Sequence, residues 1–247
     1  MRRWRATLAL MLVVGLLAAG HAAEAVPGIA PWGTKQILTS GGLFHVATDG
    51  TTTVVGDYKW QTGTGEAHVY SWNGSFWAWQ QTLTSPLPPP PAGGDGFGFA
   101  VEVHGNVIVV GQHAGGAASA HVFEYATGSW GHTATINEAN GRGLALWGTT
   151  IAATTEVGTV VTYDLVGGTW TSADTLSPAT AHGGCEFGYS IDLHEDVLIA
   201  GDYFSHDPCD PAVHVFRRSG GVWALVQELG QPSGNGYLEG WTAVWGD

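Results

Sequence analysis

The side chains best equipped for chemistry are two cysteines and the histidines beside them. Cys185 and Cys209 are the only cysteines among the 247 residues. Both are expected in loops, Cys185 just before Phe187, and His182 and His206 precede them by three positions each. Two readings follow. In an oxidising compartment the thiols pair as a disulfide, which adds about 3 kcal/mol for a loop of this size. With the thiols reduced, His182, Cys185, His206 and Cys209 supply the nitrogen and sulfur donors of a tetrahedral zinc site. The export signal described below favours the disulfide, and no metal is expected. A second set couples carboxylates to aromatic or imidazole rings: Asp57, Tyr58 and Trp60; His113; Asp202, Tyr203, Asp207 and Asp210. Such groups stack on a sugar ring or meet a cation. Turn chemistry and a solvated acidic rim account for the same residue types. Two further carboxylates, Glu102 and Asp192, fall inside apolar strands, and the sequence does not fix where they point. No nucleophile elbow, phosphate loop or spaced Ser/His/Asp pattern is present, so no catalytic residue and no cofactor are assigned.

What must position these groups is a β architecture. The chain carries 38 glycines, 12 tryptophans and only 12% charged residues, too apolar and aromatic for a disordered polymer. Its formal net charge is -13, which excludes an unassisted nucleic-acid binder, because phosphate contacts need clustered Lys and Arg. Residues 1–25 read as a secretory signal peptide. Arg2, Arg3 and Arg5 precede an apolar run, and Ala23-Glu24-Ala25 fits a small-x-small cleavage site. Cleavage leaves five basic and twenty acidic residues, net -15. The expected location is secreted or extracellular, with the periplasm as an alternative, and with no transmembrane segment after cleavage.

Four segments share one register. Tyr70, Phe123, Tyr163 and Phe216 are each followed seven residues later by Trp77, Trp130, Trp170 and Trp223. Leu83, Ile136, Leu176 and Leu229 close the units six residues further on. A fixed period of this kind signals stacked repeats. Each unit holds four strand signals, A to D, with Gly- and Asn-rich joints suited to tight hairpins. The B segments, such as Val107–Val110 and Val197–Ala200, are continuous apolar runs, which implies burial on both faces. The C segments alternate bulky and small: His121, Phe123 and Tyr125 on one face, Ala120 and Val122 on the other. A sheet with one bulky and one small face nests against its own copy. His68, His121 and His214 occupy one repeat position and read as packing or hydrogen-bonding residues of separate blades.

The expectation is an all-β propeller of four complete four-stranded blades plus a partial fifth. The blades cover about 40–84, 92–136, 141–176 and 184–229, with strand A of a fifth at 236–247. Residues 26–39 carry an orphan outer strand, and the ring reads as incomplete or truncated. Its open edges invite self-association. Asn73-Gly74-Ser75 fits an N-glycosylation acceptor on an exposed turn.

Phe97-Gly98 before FAVEVHGNVIVVG and Phe187-Gly188 before YSIDLHEDVLIAG, with the aromatic–Gly–Trp–Leu closing pattern, resemble FG-GAP repeats of integrin α-chain propellers. The resemblance spans roughly 35–247. It implies a non-enzymatic extracellular binding or adhesion module with a protein or glycan partner. The alternative is a carbohydrate-binding propeller lectin or a polysaccharide-active propeller enzyme. Leu43-Phe44 and Arg142-Gly143 stand where the FG pair is expected in the first and third repeats. The Asp-x-Asp-x-Asp-Gly calcium loop is missing, so calcium is not carried over.

Overall fold

In the computed structural model, residues 43–59, 63–88, 94–113, 118–178, 185–204, 211–230 and 242–244 are described, with the side chains of 43, 44 and 204 left aside. All of them belong to the unit spanning Gln36–Asp247. Every regular element among them is a strand. The first blade is β1 (Leu43–Thr48), β2 (Thr52–Asp57), β3 (Glu66–Trp72) and β4 (Trp77–Thr84). The second is β5 (Phe97–His104), β6 (Val107–Gln112), β7 (Ser119–Ala126) and β8 (Ser129–Ile136). The third is β9 (Ala139–Trp147), β10 (Thr150–Thr155), β11 (Val160–Val166) and β12 (Thr169–Leu176). The fourth is β13 (Cys185–His194), β14 (Val197–Phe204), β15 (Ala212–Ser219) and β16 (Val222–Gly230). Each blade is one antiparallel sheet in chain order, and A strands of successive blades are in contact. This is the propeller-like all-β fold expected.

Blade stacking follows from the unequal faces. Ala67, Val69 and Val54 of the first blade meet Phe97, Ile108 and Phe123 of the second. Ala120 and Val122 of the second meet Ile151 and Tyr163 of the third, and Ala152 and Val160 of the third meet Leu198 and Phe216 of the fourth. Each junction hides apolar area from water on both partners, which is the main stabilising term. The recurring tryptophan adds direction. Trp130 donates its indole N–H to Gln80 Oε1 at 3.1 Å and its amide to Gln81 Oε1 at 2.9 Å, both in the preceding blade. Trp170 reaches Glu124 of the preceding blade at 3.4 Å, and the Trp223 amide reaches Asp174 at 3.2 Å.

Three expectations need correction. The counterpart of the FG pair in the third repeat is Asn140-Gly141, not Arg142-Gly143. Gly141 has φ +73°, matching Gly98 at +83° and Gly188 at +73°. At Gly98 a Cβ would strike the Glu66 carbonyl, and at Gly141 the Gln112 carbonyl, so the A strand crosses its neighbour backbone to backbone. The third blade accordingly starts at Ala139, two residues before the expected boundary. Second, the run in β14 is not buried on both faces: Leu198 and Ala200 are buried against the third blade, while Val197 and Ile199 on the opposite face are only half-buried. Third, Cys185 is not in a loop but is the first residue of β13, paired with Phe204. The orphan strand and most of the fifth A strand lie outside the described residues.

Candidate functional site

A register shift interrupts the A–B pairing at one place in every blade: between Leu43 and Val46, Phe97 and Val101, Ala153 and Thr155, and Glu186 and Ser190. Such bulges re-aim side chains. Here the residues beside them, His45, Phe99, Arg142 and Tyr189, line one cavity of about 240 Å³ between the A strands. Further along the same strands Glu102 of β5 and Asp192 of β13 line it too, with Ser190 and Thr242. One or more residues from each of the four A strands therefore face one space.

The two carboxylates are held differently. Asp192 accepts the Leu193 amide at 2.8 Å and the Val244 amide at 2.6 Å. Ser190 Oγ accepts the Thr242 amide at 2.9 Å, so the short stretch 242–244 is tied to β13 by both residues. Glu102 has no hydrogen bond of this kind among the described residues. Burial, and then the nearby Asp192 charge, raise its pKa from 4.5 to about 8. Burial also raises Asp192, against the two amides and His194, which favour its ionised form. The pair thus divides into a protonated Glu102 at neutral pH and an amide-held Asp192 that is the readier anion. Burial lowers the pKa of His45, whose Nδ1 lies 3.3 Å from the Val101 carbonyl.

The loop residues singled out by type fall into three groups. Tyr58, His113 and Tyr203 surround the cavity lining. Tyr58 meets Phe99 edge-on at 5.0 Å, Phe99 meets His113 at 5.0 Å, and Tyr203 stacks on Tyr189 at 4.5 Å. Arg142 donates Nε–H to His113 Nε2 at 2.7 Å, and His113 Nδ1 lies 2.8 Å from the Asn140 carbonyl. Arginine has no acceptor, so Nε2 accepts and Nδ1 carries the proton. Burial, then Arg142, hold this imidazole below its usual pKa against the Asn140 bond. Asp57 and Asp202 do not join this group. They lie within their blades beside His68 and His214. Trp60, Asp207 and Asp210 lie outside the described residues, as do His182, His206 and Cys209 of the weighed zinc set. Cys185 is not a free thiol.

The three repeat-position histidines are confirmed as members of separate blades. His121 lies 3.0 Å from Gln112 Oε1 and 3.2 Å from Thr135 Oγ1, under Phe97 at 5.7 Å. His214 lies 3.1 Å from both Asp202 and Glu228, under Phe187 at 5.0 Å. His68 Nδ1 lies 3.0 Å from Thr82 Oγ1. Reasoning from residue type missed His45, Phe99, Arg142 and Tyr189. The signal that could have found three of them is the position just after the FG-type glycine, where Phe99, Arg142 and Tyr189 stand.

No protein-family model matches the chain, and no curated protein does. Solved structures resemble it in fold. A candidate 6-phosphogluconolactonase from Bacteroides uniformis is 10% identical, with a TM-score of 0.54 over 76% of this chain and 57% of that one. The N-terminal domain of Nup159 gives a TM-score of 0.45 at 10% identity over 75% of this chain and 47% of that one. The computationally designed Ika4 protein gives 0.45 at 14% identity over 75% of this chain and all of that one. The chain thus spans about half the length of the first two. At this level of identity the likeness is one of fold, and the fold the chain shares is the β-propeller type.

Proposed function

We propose that the chain is a secreted, FG-GAP-like propeller module that binds a polar ligand, about one sugar ring in size, in the A-strand cavity. The observation that carries this reading is the convergence of His45, Glu102, Arg142, Tyr189 and Asp192 from four different strands on one space. A concave seat with a few polar groups and aromatic walls is the usual form of a small-ligand site. The volume of about 240 Å³, below the usual range of roughly 300–1,000 Å³, suits one ring rather than a long chain. The FG-type glycines at Gly98 and Gly188 support the repeat reading. Export is supported by the pattern of residues 1–25, and so is a Cys185–Cys209 disulfide, checked by intact mass before and after alkylation. Self-association through open blade edges belongs to the same reading and is checked by sedimentation across concentrations. Screening on a glycan array, followed by calorimetry, tests the central claim. Binding should fall at least tenfold in Glu102→Gln and Asp192→Asn, while loss of neither refutes the cavity as the seat.

A specific observation favours a second reading. A protonated Glu102 near an ionisable Asp192 is the division of labour of acid–base hydrolysis, one group donating a proton and the other activating water. Reducing-sugar release that disappears in either variant would assign an enzyme; binding without turnover assigns a lectin-like module.

A further inference from the structure

We infer that the first blade carries a divalent-metal site of its own, formed by Asp57, Glu66 and His68. Asp57 ends β2, and its register partner Glu66 begins β3. His68, two residues on, shares the face of Glu66. One ligand atom from each of the three lies within 4.8 Å of the others. The His68 Nε2 is 3.9 Å from Asp57 Oδ2 and 3.8 Å from Glu66 Oε2. These separations are too long for hydrogen bonds. They are close to the separation of about 3.3 Å between ligands held at about 2.0–2.1 Å from a tetrahedral zinc ion.

The sister blades show what the same position looks like when it is closed. In the fourth blade both nitrogens of His214 meet carboxylates at 3.1 Å, and the imidazole is fully buried. In the second, neutral Gln112 replaces the carboxylate. The first blade differs by leaving the nitrogen and both carboxylates around a shared gap. Asp57 is the telling member. Its side chain is only 10% exposed and accepts no hydrogen bond among the described residues, and its ionic partners there, Lys59 and His68, stand off at 3.8 and 3.9 Å. A carboxylate desolvated to this degree without a donor is costly unless a cation is supplied. Lys59 supplies a weak one: Nζ stands 3.8 Å from both Asp57 and Glu66, and its side chain is 40% exposed. It holds the mouth of the gap as a resident charge that a metal would displace.

The imidazole is oriented for ligation. Its Nδ1 lies 3.0 Å from Thr82 Oγ1 of the adjacent β4, which leaves Nε2 directed at the carboxylates. Metal-bound histidines characteristically donate their second N–H in this way. The donor set, one imidazole and two carboxylates on neighbouring strands, suits zinc or a similar divalent transition ion, with a fourth position open to water.

The test uses the chelator-stripped protein titrated with zinc chloride by calorimetry, with metal content read by elemental analysis. The wild type should bind one equivalent through this site. Affinity should fall roughly a hundredfold in Asp57→Asn or His68→Gln, and about tenfold in Thr82→Val, as expected for an outer partner. Lys59→Ala, which removes the competing charge from a side chain already 40% exposed, should bind several-fold more tightly. Binding unchanged in both Asp57→Asn and His68→Gln overturns the assignment, and so does a wild type that takes up no zinc. If either ligand variant fails to fold, the Lys59→Ala affinity and the zinc-induced shift of the His68 ring signals in NMR decide. Both must move, or the site is refuted.

Discussion

The histidine layer and the A-strand cavity are built from the same four repeats, and they differ in what the repeat does there. In the layer, one position of the C strand carries His68, His121 and His214, each bonded within its own blade. Around the cavity the equivalent A-strand positions have diverged: Ala47, Glu102, Ala145 and Asp192 in one row; Phe99, Arg142 and Tyr189 in another. Repetition marks what serves stacking, and where the third blade carries Val161 in place of the histidine an apolar residue fills the same position. Divergence marks where the copies meet one space and take separate roles. The first blade adds a case in between, where a repeated histidine gains an acidic neighbour and an open gap.

The largest expected effect lies in the layer. His214→Ala would leave Asp202 and Glu228 facing a void, in a place where Asp202 Oδ1 already has no donor. Losing one member of a buried charged network costs about 3–5 kcal/mol. Denaturant unfolding should show that drop, whereas a change below 1 kcal/mol would mean the layer is not structural.

Next come pH effects, and the two regions should pull in opposite directions. Burial, and then His132, lower the pKa of His121 from 6.5 to about 4. Its unfolded form binds the extra proton between these values, so stability is lost as pH falls below 6.5. Glu102 is raised from 4.5 to about 8, so its unfolded form gives up a proton that the folded form keeps. Stability is therefore lost as pH rises from 4.5 toward 8. Of these two groups only Glu102 operates above 6.5, with a slope of up to about 1.4 kcal/mol per pH unit. Glu102→Gln should flatten the profile from pH 6.5 to 8, and His121→Gln should reduce the loss below 6.5, where His45 and His113, also held below their usual pKa, still contribute. A Glu102→Gln profile that still falls above pH 6.5 would separate the cavity from this behaviour.

A smaller effect tests whether the loop aromatics belong to the cavity. Tyr203 stacks on Tyr189 and is 40% exposed, so Tyr203→Ala should leave stability within about 1 kcal/mol. Ligand affinity should drop several-fold as Tyr189 loses its support. Unchanged affinity would restrict the site to the A strands themselves.

How much of this was legible follows from the same contrast. The C–D register of aromatic, Trp and Leu predicts the blades because those residues pack in copy after copy, with Leu229 of the fourth blade, 45% exposed, as the exception. The histidines could be assigned to separate blades for that reason. Asn140-Gly141 was missed because the eye matched residue type, whereas what the backbone requires there is φ near +73° and no Cβ. Glu102 and Asp192 were visible as carboxylates in apolar strands, but their direction depends on a bulge that shifts the alternation. His45, Arg142 and Tyr189 carried no pattern of their own, because a cavity assembled from four copies has no local period. Asp57 and Asp202 looked like one kind of loop residue and lie inside their blades instead.

The smallest prediction asks whether divergence always means function. In the C–D turns Gly167 and Gly220 take positive φ at the first turn residue, while Thr127 takes it at +53°. A β-branched residue is strained in this conformation, which two-residue hairpins reserve for Gly, Asn or Asp. Thr127 is exposed and has no part in the cavity. Thr127→Asn should therefore stabilise the protein by about 0.5–1 kcal/mol and leave ligand binding untouched. A gain in thermal midpoint with unaltered calorimetry would make Thr127 a divergence without a role. A loss of binding would instead extend the site to the far end of the second blade, and the distinction between layer and cavity would have to be redrawn.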